Sequence, residues 1–253
     1  MIDLSNKIIL VTGGSRGIGA AIVKALVSVG ADVIIHYSHS EEKAKTLAKV
    51  VGEAKTFLIR ADLEEPNIAQ MLFDKAVSWK GHVDVLVNNA GIYQMAGVHD
   101  PIEQWRSAWQ KTMQVNLQAA ADLCREAIRH FLEQKRKGSI INISSRAAFR
   151  GEIPEAMHYA ASKGAMVSLT KTVARAYAKD GILAFGIAPG FVKTEMADAG
   201  STVFDADWLK REFPMGAMAE PEDVANTVAF LASGLAPHMT GATLDINGAS
   251  YVR

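Results

Sequence analysis

Ile8-Ile9-Leu10-Val11-Thr12-Gly13-Gly14-Ser15-Arg16-Gly17-Ile18-Gly19 is the stretch that decides the fold. Its four leading apolar residues form a short continuous run, the signature of a strand buried on both faces of a parallel sheet. After the glycines, Ile18, Ile22, Ala25, Leu26 and Val29 recur at helical spacing, and Gly30 stops that helix. A helix that opens on a glycine turn offers free N–H groups and a partial positive charge, which suits a pyrophosphate. Side chains would block the close approach, so glycine is needed there. The spacing is Gly-x-x-x-Gly-x-Gly rather than Gly-x-Gly-x-x-Gly. A tight turn with a purely structural role is the competing reading. Gly13 to Gly17 also fits Gly-x-Ser-x-Gly, the nucleophile elbow of serine hydrolases. That elbow takes an oxyanion donor from a loop on an earlier strand, and only twelve residues precede Gly13.

The same unit repeats outward along the chain. Apolar runs at 33–35, 57–59, 83–87, 139–143, 183–187 and 243–246 read as further strands. Helical patterns lie between them, from about Glu41, from Pro66, over 101–137 with a break near Met113, over 158–179, and from Pro221. Strands alternating with helices predict a doubly wound (Rossmann) seven-stranded parallel sheet, an α/β fold with helices on both faces. Ligands in such folds sit beyond the carboxyl ends of the strands. No linker divides the chain, so residues 1–253 are read as a single dinucleotide-binding domain. Residues 190–216 interrupt the rhythm with scattered large apolar side chains, among them Phe191, Met196, Phe204, Trp208, Phe213 and Met215. A connection of that length is read as a substrate loop, against the plainer reading of a helical hairpin resting on the body.

Composition narrows the function. Of 253 residues, 49% are hydrophobic and 21% charged, which excludes wholesale disorder. Lys plus Arg total 27 and Asp plus Glu total 27. A zero net charge argues against binding along nucleic acid and permits self-association. The single cysteine, Cys124, excludes a disulfide framework and a zinc ribbon. The opening Met-Ile-Asp-Leu-Ser-Asn-Lys does not look like a signal peptide, and no apolar run reaches the ~18 residues of a membrane span, so a cytoplasmic location is expected.

Cofactor choice is read at the end of the second strand. An acid there would hold both ribose hydroxyls of NAD and repel a 2′-phosphate. The chain has His36-Tyr37-Ser38-His39-Ser40, with no acid before Glu41, and carries Arg16 in the glycine turn. Both features favour NADP(H) over NAD(H). Farther along, Tyr159-Ala160-Ala161-Ser162-Lys163 sets Tyr159 and Lys163 at i and i+4 on one helix face. A phenol with a pKa of ~10 is a poor base, and a neighbouring ammonium is expected to lower that value.

Thr-Gly-x-x-x-Gly-x-Gly at 12–19, Asn88-Asn89-Ala90-Gly91, Asn116, Ser144-Ser145, Tyr159-x-x-x-Lys163 and Pro189-Gly190 follow one another over nearly the whole chain. In this order they resemble the short-chain dehydrogenase/reductase family, single-domain type. His36-Tyr37, Pro214-Met215-Gly216, Pro221 to Ala225 and Thr240 to Leu244 look most like the β-ketoacyl-carrier-protein reductase branch. The resemblance implies an NADP(H)-dependent oxidoreductase that moves a hydride between nicotinamide and a carbonyl or secondary alcohol. A 3-oxoacyl thioester is the first candidate substrate; sugar, steroid and xenobiotic dehydrogenases share the pattern. It implies Tyr159 as proton donor and acceptor, Lys163 as its modulator and ribose ligand, Ser145 as the residue orienting the substrate oxygen, and Asn116 as holder of a relay water. It implies a cofactor lined by Gly13, Ser15, Arg16, Gly17, Ile18, Gly19, Tyr37, Ser38, Asp62, Leu63, Asn89, Ala90, Gly91, Pro189, Gly190, Val192 and Thr194. It also implies a homotetramer with the helices at about 114–137 and 158–179 across one interface. A substrate wall is expected from Tyr93, Met95, Phe149, Ile153, His158, Phe191 and Met196.

The chain departs from the family where Ser145 is followed by Arg146-Ala147-Ala148-Phe149 in place of Ser-x-x-Gly, and the gap to Tyr159 is one residue longer. Both changes face the substrate, and Ser144 is the alternative serine. Other matches are set aside. His36-x-x-His39 lacks further metal ligands at suitable spacing. Asn142-Ile143-Ser144 is a glycosylation pattern within an expected buried strand, and Ser168-x-x-Lys171 is an acylase pattern without its partners. Arg125, Arg129, Lys135, Arg136 and Lys137 gather near a helix end. They read as a solvated face, or as a docking surface for an acidic acyl-carrier protein or a coenzyme A phosphate. A dinucleotide sensor without chemistry is the contrasting function.

Overall fold

A computed structural model of the chain describes residues 2–195 and 212–253. Phe204, Trp208 and Met196 of the expected substrate loop lie outside the described residues. Strands β1 (Ile8–Val11), β2 (Asp32–Tyr37), β3 (Thr56–Arg60), β4 (Val85–Asn88), β5 (Gly138–Ile143), β6 (Ile182–Pro189) and β7 (Thr243–Ile246) form one parallel sheet in the order β3-β2-β1-β4-β5-β6-β7. Strand order reverses between β1 and β4, and a crevice opens at the carboxyl ends there. The doubly wound fold expected from the sequence is the fold observed.

The strands are apolar because both sheet faces are covered. On one face, Ile9, Val11, Val33, Ile35, Val85 and Phe185 meet helices α1 (Gly17–Ser28) and the Pro221–Ala232 helix, through Ile22, Leu26, Val224 and Val228. On the other, Ile8, Leu10, Ile34, Leu86 and Ile140 meet α3 (Ile68–Lys80), α5 (Ala119–Glu133) and α7 (Met157–Tyr177). Remaining helices are α2 (Glu41–Val51), α4 (Ile102–Met113) and the short α6 (Ala147–Arg150). The Pro221–Ala232 helix is numbered α8; its Pro sits in the first turn, and Glu220 and Asp223 cap it reciprocally.

Two boundaries differ from the sequence reading. Helix α3 begins at Ile68 rather than Pro66, because Asn67 takes a left-handed backbone (φ 65°) that ends the preceding turn. The break expected near Met113 is a π-helical turn, Gln114–Gln118, between two α-helices that otherwise run on. Asn116 sits in the middle of it. Such turns insert one extra residue and rotate the side chains that follow, and they recur at functional sites.

The glycine turn leaves no room for side chains. A methyl group at Gly19 would lie 2.1 Å from the Gly13 carbonyl oxygen, and Gly13 has φ 61°. We predict that Gly19→Ala lowers the melting temperature and abolishes dinucleotide binding measured by fluorescence. A variant that melts and binds like wild type would contradict this packing.

Candidate active site

The site is assembled at the carboxyl ends of β1, β4, β5 and β6. The glycine turn is held by side chains from neighbouring strands. Thr12 Oγ1 accepts hydrogen bonds from the Asn89 and Ala90 amides, both at 3.0 Å. Asn89 Nδ2 donates to the carbonyls of Thr12 (2.8 Å) and Gly13 (3.1 Å). His36 closes the turn from β2: Nδ1 accepts from the Gly13 amide at 3.1 Å, and Nε2 lies 3.0 Å from the Ala61 carbonyl. Those two partners require a neutral ring protonated on Nε2, and burial pushes its pKa down to about 4. His36 is therefore a structural brace, which sequence reasoning missed. Among the described residues there is no group of His, Cys, Asp and Glu that could hold a metal ion.

Arg16 precedes α1, whose N-terminus carries no side-chain cap. The free amides of its first turn, glycines at 13, 14, 17 and 19, and the absence of space for any Cβ at Gly19 fit a dinucleotide diphosphate. Thr194 lies against this turn, with its Cγ2 3.3 Å from where a Cβ of Gly17 would stand. Ser15, Tyr37 and Leu63 are buried beside it, Val192 is buried behind, and Gly190 abuts Asn247. Asp62 accepts from the Glu64 amide, and Ser38 contacts His39. Arg16 is not a free cation: its Nη1 is 2.9 Å from Glu195 Oε2.

The chemistry-bearing residues converge one strand further on. Ser145 follows β5, Tyr159 and Lys163 lie on α7, and Asn116 on the π-turn. The Ser145 side chain, whose Oγ accepts from the Ala147 amide at 3.1 Å, faces the Tyr159 hydroxyl closely enough to favour its ionised form. Ser144 donates instead to the Lys163 carbonyl at 2.9 Å, which removes it as the alternative serine. Lys163 Nζ donates to the Ile143 carbonyl (2.9 Å) and lies 5.7 Å from the centre of the Tyr159 ring. Asn116 Oδ1 accepts from the Ile92 amide (2.8 Å), and its Nδ2 donates to the Ile92 carbonyl (2.9 Å) and Ser162 Oγ (3.3 Å). A Cβ on Gly91 would stand 3.4 Å from both Asn116 Oδ1 and Lys163 Nζ, so the glycine keeps the space between them open.

The electrostatics correct one expectation. Burial pushes Tyr159 up to about 12, against the lowering effect of the Ser145 side chain, while the Glu152 charge raises it further. Burial pushes Lys163 down to about 8. Desolvation dominates at Tyr159, and the Lys163 amine is engaged by the Ile143 carbonyl. Tyr159 holds its proton at neutral pH and is a hydrogen-bond donor.

The expected substrate wall is brought together in part. Tyr93 meets Tyr159 edge to face at 5.0 Å between centroids. Met95 and Ile153 are exposed at the rim. Phe191 lies under the Arg146 guanidinium (4.5 Å), and Phe149 under that of Arg253 (3.8 Å). His158 is not in the wall. One residue from Tyr159 on the helix, it points about 100° away and is buried against Trp109 of α4. Met196 lies outside the described residues. The departure after Ser145 forms α6, and its Arg146 is buried on Glu212 at 2.7 Å, with Arg150 on the same carboxylate at 2.8 Å.

Comparisons with known proteins agree on one lineage. The family model described as enoyl-(acyl carrier protein) reductase matches residues 13–249. A 3β-hydroxysteroid dehydrogenase of Eggerthella lenta is 39% identical, over 97% of this chain and 94% of the relative. A 3-oxoacyl-(acyl-carrier-protein) reductase of Staphylococcus epidermidis is 36% identical, over 98% of this chain and 100% of the relative. The solved structure of a short-chain dehydrogenase/reductase from Serratia marcescens superposes with a TM-score of 0.87 at 38% identity, covering 98% of this chain and 99% of that one.

Burial of Lys163 has a signed consequence. Between pH 8 and its ordinary value of 10.5 the folded protein carries a neutral amine while the unfolded chain is still protonated. The unfolded state then binds more protons, so this group makes stability rise with pH across that window. The unfolding free energy of wild type minus that of Lys163→Met should increase from pH 8 to 10.5 in denaturant titrations. A flat or falling difference would sink the assignment.

Proposed function

Because this chain belongs to the short-chain dehydrogenase/reductase family, an oxidoreductase acting on a CH–OH or carbonyl group, we propose that it is an NADP(H)-dependent carbonyl reductase. The observation that carries this reading is the Tyr159–Ser145 hydroxyl pair held beside Lys163 and Asn116, at the crevice where the glycine turn opens. NADPH, when bound, supplies the hydride. The chain's own residues place the carbonyl and handle the proton. Ser145 Oγ and the Tyr159 hydroxyl converge on the substrate oxygen, and Tyr159, protonated at neutral pH, delivers its proton as the alkoxide forms. Lys163 and Asn116, flanking the gap over Gly91, resupply that proton through water and hold the nicotinamide ribose. In the oxidative direction the same groups act in reverse.

Gly13, Ser15, Arg16, Gly17, Ile18 and Gly19 would hold the diphosphate and 2′-phosphate end. Tyr37, Ser38, Asp62 and Leu63 would line the adenosine; Asn89, Ala90, Gly91, Pro189, Gly190, Val192 and Thr194 would line the rest. We favour a 3-oxoacyl thioester or a cyclic ketone, because Tyr93, Phe149, Ile153 and Phe191 make an apolar surround. The steroid alternative has support from the 3β-hydroxysteroid dehydrogenase relative. The basic cluster at the end of α5 is largely neutralised at home: Arg125 pairs with Glu126, Arg129 is 3.3 Å from Glu126, and Arg136 is 2.9 Å from Asp84. Docking of an acyl-carrier protein there would rest on Lys135 and Lys137. No helix among the described residues is long and apolar enough to cross a membrane. A cytoplasmic homotetramer is part of the same proposal.

Consumption of NADPH with a panel of ketones and 3-oxoacyl thioesters tests the reading. Tyr159→Phe should lower the rate by roughly 10²–10⁴-fold while NADPH still quenches protein fluorescence. Ser145→Ala should act in the same direction by about 10²-fold. Binding of NADPH with no turnover by wild type of any carbonyl would instead indicate a sensor. Equal efficiency with NADH would remove the cofactor preference.

A further inference from the structure

Arg16 stands at the mouth of α1 and Lys43 in the first turn of α2, and both reach for one carboxylate. Arg16 Nη1 is 2.9 Å from Glu195 Oε2, and Lys43 Nζ donates to Glu195 Oε1. This is not an accident of neighbouring positions on a helix, since Glu195 lies 179 residues from Arg16 and 152 from Lys43. The backbone puts it there. The Lys193 amide donates to the Ala219 carbonyl and the Ala219 amide to the Phe191 carbonyl, each at 3.0 Å, and Thr194 rests on Gly17. Of the other acids nearby, Glu41 and Glu42 both pair with Lys45, at 2.8 and 3.3 Å, and Glu42 also borders the cleft without a salt bridge to Arg16 or Lys43. Arg16, Lys43 and Glu195 border a cleft of about 480 Å³ that Lys24 and Thr46 also line. Ser15 of the glycine turn lines it too, and residues 36–40, which lead from the end of β2 to α2, offer no acid to a ribose diol.

Two cations on a single carboxylate form an anion clamp with one charge to spare. A phosphate brings more negative charge and more acceptor oxygens than a carboxylate, and suits an Arg fork beside a Lys ammonium. The pairs on Glu195 are solvent-exposed, and exposed pairs are weak, so a phosphate can displace the carboxylate. We propose that Glu195 is an internal surrogate for the adenosine 2′-phosphate. It occupies the Arg16–Lys43 clamp in the empty protein and leaves when NADPH binds. Lys43 and Glu195 therefore set how strongly NADPH is preferred over NADH. Lys43 is the second cation of the site, and Glu195 is a competitor that taxes only the phosphorylated cofactor. This rests on the reading of the chain as an NADP(H) enzyme.

Calorimetric titration with 2′,5′-ADP and 5′-AMP isolates the 2′-phosphate from the rest of the cofactor, and NADPH and NADH titrations complete the set. Glu195→Gln should tighten 2′,5′-ADP and NADPH by about 3- to 10-fold and leave 5′-AMP and NADH where they were. Lys43→Met should weaken 2′,5′-ADP by about 10-fold, again sparing 5′-AMP. Both side chains are exposed, and thermal melts of the variants check that the fold is kept. If Glu195→Gln weakens both classes of ligand, Glu195 is a strap over the cofactor and the surrogate idea is wrong; it is equally wrong if 2′,5′-ADP binding does not change. Wild-type protein that binds NADH as tightly as NADPH overturns the cofactor reading instead, and the Glu195→Gln result still decides the surrogate.

Discussion

A parallel sheet covered on both faces has nowhere to hide polar side chains except against each other. At the carboxyl edge of this sheet that constraint shapes the candidate active site. Thr12, Asn88, Asn89, Asn116, Asn142, Ser144 and Lys163 are all at most partly accessible, and each makes a side-chain hydrogen bond within the protein, with Asn88 Oδ1 alone among their buried groups left without one. Asn88 donates to Asn142 at 2.9 Å, and Asn142 donates to Thr170 at 2.9 Å, which ties β4 to β5 and β5 to α7. A buried polar group left without a partner costs about 1–3 kcal/mol, so removing one member strands the next. The arrangement fixes the crevice before any ligand arrives.

That network explains why Tyr159 and Lys163 are worth so much more than an i, i+4 pair on a surface helix. Lys163 cannot swing to solvent, because its ammonium is tied to the last carbonyl of β5. Tyr159 cannot rotate away from Ser145 without giving up its edge-on contact with Tyr93. Proximity is thus supplied by the core and not by the side chains' own affinity, the form of organisation from which catalytic rate is drawn. The electrostatic state follows from the same burial: both groups are pushed toward neutrality.

The strands, the glycine turn and the order of motifs were legible in the chain because apolar runs and backbone-permissive residues are local signals. The helix interruption near Met113 was legible as a break, and its nature was not, since a π-turn has no compositional mark. His36 was read only as part of a motif and a weak metal pattern. Its role needs the position of Ala61 on a neighbouring strand, which no local pattern carries. The same holds for Lys43 and Glu195, two exposed residues of ordinary type brought together over 152 positions. Reading Arg16 as a phosphate ligand was possible from the turn, but its pairing with Glu195 was not. The Arg146-Glu212-Arg150 group fills the place where the family pattern has Ser-x-x-Gly. The glycine position of that pattern is Ala148 here, and Arg146, buried and stacked on Phe191 in the first variable position, stiffens the floor beside Ser145.

The π-turn at Gln114–Gln118 also sets a reading frame for the long continuous helix that carries it. Upstream of it, Trp109 is phased to meet His158, with Trp105 packed against Trp109; downstream, Leu123, Ala127 and Phe131 are phased to the sheet. A one-residue deletion inside the turn would restore regular winding and turn one half against the other by about 100°, taking either the carboxamide of Asn116 or the apolar stripe out of place. Indels are usually shed harmlessly at loops; in this protein the forbidden place for one is the middle of a helix.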